Sequence, residues 1–173
     1  MLFRSRRDRS APTIGDVSDA SRDRFRDLTV EDLLGRLASS TPAPGGGAAS
    51  AVAASLGAAL VAMVAGLSEG RERYAAHAAT HAWAKAAGSE LADRLMRIAD
   101  EDAAAYDEFA LAMKLPRATE AEVAARTAAI QSAARVAAEV PLTCVEACRE
   151  LVMAAEALAG RSNRNASSDL HVA

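Results

Sequence analysis

Apolar residues recur along this chain at helical intervals, and the segments they mark are long. Thr29 opens TVEDLLGRLAS, in which Val30, Leu33, Leu34 and Leu37 share one side, with Thr29 at the N-cap and Asp32 in the capping-box position. Residues 39–47 carry two prolines and three consecutive glycines and read as a loop. A helix starting near Ala48 has Val52, Leu56, Leu60, Val64 and Leu67 as its expected inner stripe. A longer helical region spans residues 71–115, bent near Gly88 and closed by Pro116. On it Leu91, Leu95, Ile98, Asp102, Tyr106, Phe109 and Met113 step by three and four. Thr119 and Glu122 make a second capping box, opening a helix with the stripe Val123, Arg126, Ile130, Ala133, Ala137 and Val140. Pro141 is expected to kink that helix or divide it in two.

The two ends differ from this pattern. Residues 1–27 mix arginine and aspartate with no apolar period and read as a disordered charged leader before a helical domain at 28–173. GRSNRNASSD, residues 160–169, is a polar loop in which Ser167 or Ser168 caps a last helix. Only DLHVA represents that helix, and so short a turn is expected to fray. The predicted fold class is all-α, a compact multi-helix bundle with a kink at Pro141.

Composition sharpens the packing. The chain is 51% hydrophobic but 3% aromatic, so alanine carries much of the apolar count and helices must approach closely. The helix at 48–67 is apolar on more faces than one small bundle covers, which predicts a homodimer or larger oligomer with this helix near the interface. The uncharged run 37–68 is long enough to span a membrane, but its prolines, glycines and serines favour a buried central helix. A net charge of −3 gives no electrostatic case for nucleic acid. The N-terminal MLFRSRRDRSAP lacks the apolar stretch of a signal peptide. Cys144 and Cys148, four apart on a helix, are spaced too widely for an unstrained disulfide, and a reducing cytoplasm fits best.

Candidate chemistry lies where polar residues interrupt apolar stripes. Asp102 sits in the middle of one stripe, either in a structural pair or in a cleft for acid–base work. Arg126 interrupts the next, and either neutralises Asp102 or holds a substrate carboxylate. Lys114 continues the edge of the Asp102 face, where an exposed lysine near a helix C-terminus is the plainer account. His77 and His81 with Cys144 and Cys148 could in principle ligate zinc, but a wet face for the histidines and apolar packing for the cysteines is the stronger reading. Asn163, Asn165, Ser168 and Asp169 gather donors and acceptors at a loop-to-helix junction, where such residues are usually turns and caps.

Three stretches, PAPGGGAASAVAASLGAALVAMVAGL, DEDAAAYDEFALAMKLPRATEAEVAARTAAIQSAARVAAEVPL and SNRNASSDLHVA, resemble the cyclodeaminase domain of the formiminotransferase-cyclodeaminase family, which includes stand-alone methenyltetrahydrofolate cyclohydrolases. The resemblance covers residues 28–173 and departs from the family at Arg117, at Ser162 and in the absence of a final long helix. It implies a dimeric helical protein acting on one-carbon forms of tetrahydrofolate, with no metal and no cofactor beyond that substrate. The reactions implied are closure of formiminotetrahydrofolate with loss of ammonia and hydrolytic opening of methenyltetrahydrofolate. Asp102 and Lys114 are then candidates for proton transfer. Gly45, Gly46, Gly47, Tyr106, Arg126, Asn163, Asn165, Ser168 and Asp169 are candidates for substrate binding. The three glycines permit close backbone approach and φ > 0 before a helix N-terminus that favours an anion or a polar ring edge. The competing expectation is a non-catalytic helical oligomer or binding protein built on the same fold.

Overall fold

The computed structural model describes residues 24–173, and the expected leader lies mostly outside them. Five α-helices follow in order: α1 (Val30–Leu37), α2 (Gly46–Ser68), α3 (Ala78–Ala112), α4 (Glu120–Leu158) and α5 (Ser167–Val172). Short 3-10 turns at Phe25–Asp27, Glu72–His77 and Arg164–Ala166 link them, and the described residues include no strand. The all-α expectation holds.

The packing centre is α2 against α3, with α4 laid on α3 and α5 on α2. Small residues set how close α2 and α3 come. A Cβ on Gly88 would stand 2.7 Å from Ala58 O and 2.8 Å from Ala62 N, so α3 touches the backbone of α2 there. Ser55 Oγ donates to Ala92 O at 2.9 Å across the same contact. The buried side of α2 is therefore made mostly of small residues, among them Ala48, Ala51, Ser55, Gly57, Ala58, Ala65 and Ser68. This corrects the expected inner stripe: Val64 is buried, but Leu56 is 66% exposed and Leu67 41% exposed. Large side chains cannot fit where two backbones meet, so leucine is turned outward. The larger core side chains Leu95, Val61, Val64 and Leu158 fill the flanks; each contributes about 1.5–3 kcal/mol relative to exposure.

Both expected N-caps are in place. Thr29 accepts from Asp32 N, and Thr119 with Glu122 forms a complete capping box. Pro141 does not divide the chain, since α4 runs unbroken across it. The part of α4 before Ala147 has no fully buried residue, and of its expected stripe Val140 packs against the core while Val123 is exposed. None of the α1 residues is buried, although Leu33 packs against the core's edge.

At the ends the residues are better held than the pattern predicts. Phe25 is 7% exposed and joins the core, and its N–H donates to Asp100 Oδ1 at 2.9 Å. The domain thus begins before Leu28. The expected fraying after Asp169 is also corrected. Leu170 and Ala173 pack against the core, and a Cβ on Gly57 would stand 2.8 Å from Ala173 O. Neither Ser167 nor Ser168 caps α5, whose N-cap is Ala166 without a side-chain acceptor; Asn163 caps the preceding 3-10 turn, accepting from Asn165 N at 3.2 Å. Positive φ occurs at Gly70 and Gly160, not in the glycine triplet.

Candidate active site

The N-terminus of α2 has a glycine, Gly45, at its N-cap and therefore no side-chain acceptor of its own. Asp102, from the middle of α3, supplies one: Ala48 N donates to Asp102 Oδ2 at 2.9 Å. A carboxylate at the positive end of a helix is favourably placed, and it satisfies one of the amide donors a helix leaves open. Gly47 makes the approach possible. A Cβ there would lie 2.6 Å from Asp102 Cγ, which is overlap, so only glycine admits the carboxylate. Gly45 is in ordinary van der Waals distance of Pro42 O, and Gly46 is open on its Cβ side.

Along α3 the environment changes at Asp102. Leu91, Leu95 and Ile98 are buried, Asp102 is half-buried, and Tyr106, one turn further on the same face, is 39% exposed. The α2 helix begins beside Asp102, so past that point the face of α3 loses its cover. The carboxylate therefore stands at the boundary between core and open surface.

Cys144 of α4 faces the same region. Its thiol is pushed up to about 11, first by burial, then by the neighbouring Cys148, which also hydrogen-bonds it, and last by the negative charge of Asp102. From the sequence Cys144 reads as apolar packing or, in principle, a zinc ligand. Nothing in its i,i+4 pairing with Cys148 shows which helix it meets.

Arg126 does not pair with Asp102, which removes the ion-pair alternative. Its Nη2 donates to Met113 O at 3.0 Å, at the turn between α3 and α4, about 17 Å along α3 from Asp102. Its Nε is buried, with no hydrogen-bond partner among the described residues. Lys114 follows Met113 and is exposed. Tyr106 lies between these two loci.

Asn163, Asn165, Ser168 and Asp169 are elsewhere. Asn163 N donates to Ser68 Oγ at 2.8 Å, at the opposite end of α2 from Ala48 and about 30 Å away along its axis. Within one chain this loop and Asp102 do not adjoin. His81 is also at that far end, and it is not on a wet face. It is 1% exposed, and its Nε2 is 2.8 Å from Arg161 O. The histidines and cysteines are thus separated by much of α3 and cannot share one ion. Among the described residues no three metal-ligating side chains of the His, Cys, Asp and Glu types are gathered.

Among the described residues one helix, α2, is long and apolar enough to cross a membrane by length and composition alone. Its small-residue side is packed in the core.

The chain is 41% identical over 145 residues to a methenyltetrahydrofolate cyclohydrolase of Methylorubrum extorquens, covering 84% of this chain and 70% of that protein. It is 35% identical over 130 residues to the formimidoyltransferase-cyclodeaminase of Gallus gallus, covering 75% of this chain but 24% of that much longer relative. The crystal structure of a formiminotetrahydrofolate cyclodeaminase from Thermotoga maritima superposes with a TM-score of 0.73 at 27% identity, covering 84% of this chain and 68% of that one. Residues 29–173 match the formiminotransferase-cyclodeaminase family as a whole, and the chain belongs to that family.

Proposed function

We propose that the chain is a one-carbon folate enzyme, opening methenyltetrahydrofolate by hydrolysis or closing formiminotetrahydrofolate to the methenyl form with release of ammonia. The observation that carries this reading is the Asp102 carboxylate, fixed against the first turn of α2 and standing where α3 leaves the core. Both reactions pass through a tetrahedral carbon and require proton transfer at an attacking and a departing group. In hydrolysis, water adds to the methenyl carbon and loses a proton. The ring C–N bond then breaks as the hydroxyl proton passes to solvent, giving a formyl group and a free amine. In closure, the second folate nitrogen adds to the formimino carbon, and the leaving nitrogen takes up a proton and departs as ammonia. Asp102 accepts the proton in the first step and returns it in the second.

The substrate is elongated, with a ring system at one end and glutamate carboxylates at the other. Laid along α3, it brings its reacting carbon to Asp102, passes Tyr106 and presents carboxylates to Arg126 and Lys114. The buried, unpartnered Nε of Arg126 supports that direction, because such a donor is costly unless an acceptor arrives. Gly45, Gly46 and Gly47 form the wall beside the reacting carbon. Cys144, held protonated, faces Asp102 as a neutral neighbour. Asn163, Asn165, Ser168 and Asp169 lie outside this substrate path within one chain.

The functional unit we propose is a cytoplasmic homodimer. Leu56, Met63 and Leu67 stand exposed at helical spacing on α2, an apolar stripe that a second copy covers. Both cysteines are free thiols, in keeping with a reducing compartment. Sedimentation of a folded monomer at high concentration overturns the dimer. Parallel absorbance assays with methenyltetrahydrofolate and formiminotetrahydrofolate test the activity and separate the two reactions. Turnover of neither by the full chain overturns the enzyme reading.

A further inference from the structure

At the far end of α2 from Asp102, a polar cleft of about 420 Å³ is lined by Arg71, Arg73, Tyr74, Asn163, Arg164 and Asn165. Two segments distant in sequence form it, and buried hydrogen bonds hold them together. Asn163 N donates to Ser68 Oγ at 2.8 Å, with Ser68 1% exposed, and the equally buried His81 holds Arg161 O at 2.8 Å. Arg164 N donates to Tyr74 Oη at 3.3 Å, and the Arg73 guanidinium lies 5.7 Å from the centre of the Tyr74 ring. The cleft is therefore tied to the core.

Its charge is unbalanced. Among the described residues no carboxylate forms an ion pair with Arg71, Arg73 or Arg164. Glu69, at the end of α2, is engaged by Lys85 at 2.5 Å, and Glu72 is not among the lining residues. The protein as a whole carries a net charge of −3, so three arginines about one cleft oppose its overall sign. Like charges held on one rigid frame repel, and an anion between them relieves the repulsion. The planar guanidinium fork matches the paired oxygens of a carboxylate or phosphate. Asn163 Oδ1 is occupied by Asn165 N, which leaves the amide N–H₂ of Asn163 as a further donor.

We propose that this cleft binds a multiply charged oxyanion, at a place that within one chain is about 30 Å along α2 from the Asp102 region. A phosphate group and a cluster of carboxylates share the required chemistry. Calorimetric titration of the full chain at constant ionic strength, with inorganic phosphate and with triglutamate as probes, tests the proposal and names the source by the tighter probe. The expected result is saturable binding at one site per chain, weakened about tenfold or more in the double variant R71Q/R164Q. The exposed Arg97, which is outside the cleft, provides the control R97Q, which retains wild-type affinity. Without anion, the double variant melts no lower than wild type, since repulsion is removed; if it does not fold, R73Q alone takes its place with the same expected loss. No saturable binding of either probe, or equal affinity in wild type and cleft variants, overturns the proposal. The readout is independent of folate turnover.

Discussion

Ala48 gives its amide proton to Asp102 Oδ2 at 2.9 Å, a contact made across 54 residues of chain. The carboxylate thus caps a helix while standing at the edge of open surface, and the two roles separate on mutation. In Asp102→Asn the amide oxygen still accepts from Ala48, so the melting temperature should change little. Turnover should fall by about 10²-fold or more if the group transfers a proton. Asp102→Ala loses the cap as well, at a cost of about 1 kcal/mol in stability. Kinetics and thermal melting on both variants decide. Unchanged turnover of folded Asp102→Asn removes Asp102 from the chemistry.

Gly47→Ala tests the same contact from the other side. The added methyl overlaps the carboxylate, 2.6 Å from Asp102 Cγ, so the carboxylate or the helix start must shift. Overpacking of this kind costs about 1–3 kcal/mol, and displacement of Asp102 should lower turnover at least about tenfold. In Gly47→Ala/Asp102→Ala the clash is gone, and the melting temperature should recover part of its loss relative to Gly47→Ala alone. An unchanged melting temperature in the single variant excludes the steric account.

The same pair shows how far the sequence was legible. Asp102 was visible because a carboxylate interrupts an apolar stripe, and Thr119 with Glu122 was visible because a capping box is local. What Asp102 touches was not visible, because Ala48 is remote in sequence and Gly47 is one of three adjacent glycines. Of the two properties the triplet offers, close approach is used at Gly47, whereas positive φ occurs at Gly70 and Gly160 instead. The stripe on α2 misled because leucine normally points inward. Here Gly88 brings two backbones together, and alanine takes the interior. The asparagine-rich loop shares its chemistry with Asp102, and the length of α2 separates the two within one chain. Cys144 gave no local signal, since its neighbour lies on another helix.

Gly88→Ala should be among the more damaging single-methyl changes in the protein. The new Cβ would stand 2.7 Å from Ala58 O and 2.8 Å from Ala62 N, both backbone atoms of a buried helix that cannot rotate aside. The expected loss is about 1–3 kcal/mol. For a domain of this size, that lowers the melting temperature by roughly 2–4 °C per kcal/mol. Gly46→Ala is the comparison: its Cβ side is open, and alanine is the better helix former, so stability should hold or rise. Equal effects at the two positions would contradict the close contact of α2 and α3.

Cys144 predicts an alkaline transition. Burial, Cys148 and Asp102 together push its thiol up from 9.0 to about 11, so the folded protein favours the protonated form more than the unfolded chain does. The stability this contributes is fully present below pH about 9 and is lost as pH rises toward about 11. Thermal melts from pH 8 to pH 11 should therefore fall more steeply for wild type than for Cys144→Ala, whatever offset the lost side chain produces at pH 8. The Asp102→Asn variant removes the smallest of the causes and should move the transition slightly downward. Alkylation follows the same order, because the thiolate is the reactive form: at pH 8 Cys144 should react more slowly than an exposed model thiol. Parallel melting curves for wild type and Cys144→Ala across this range, with rapid alkylation of Cys144 at pH 8, would show that the thiol is not held protonated beside Asp102.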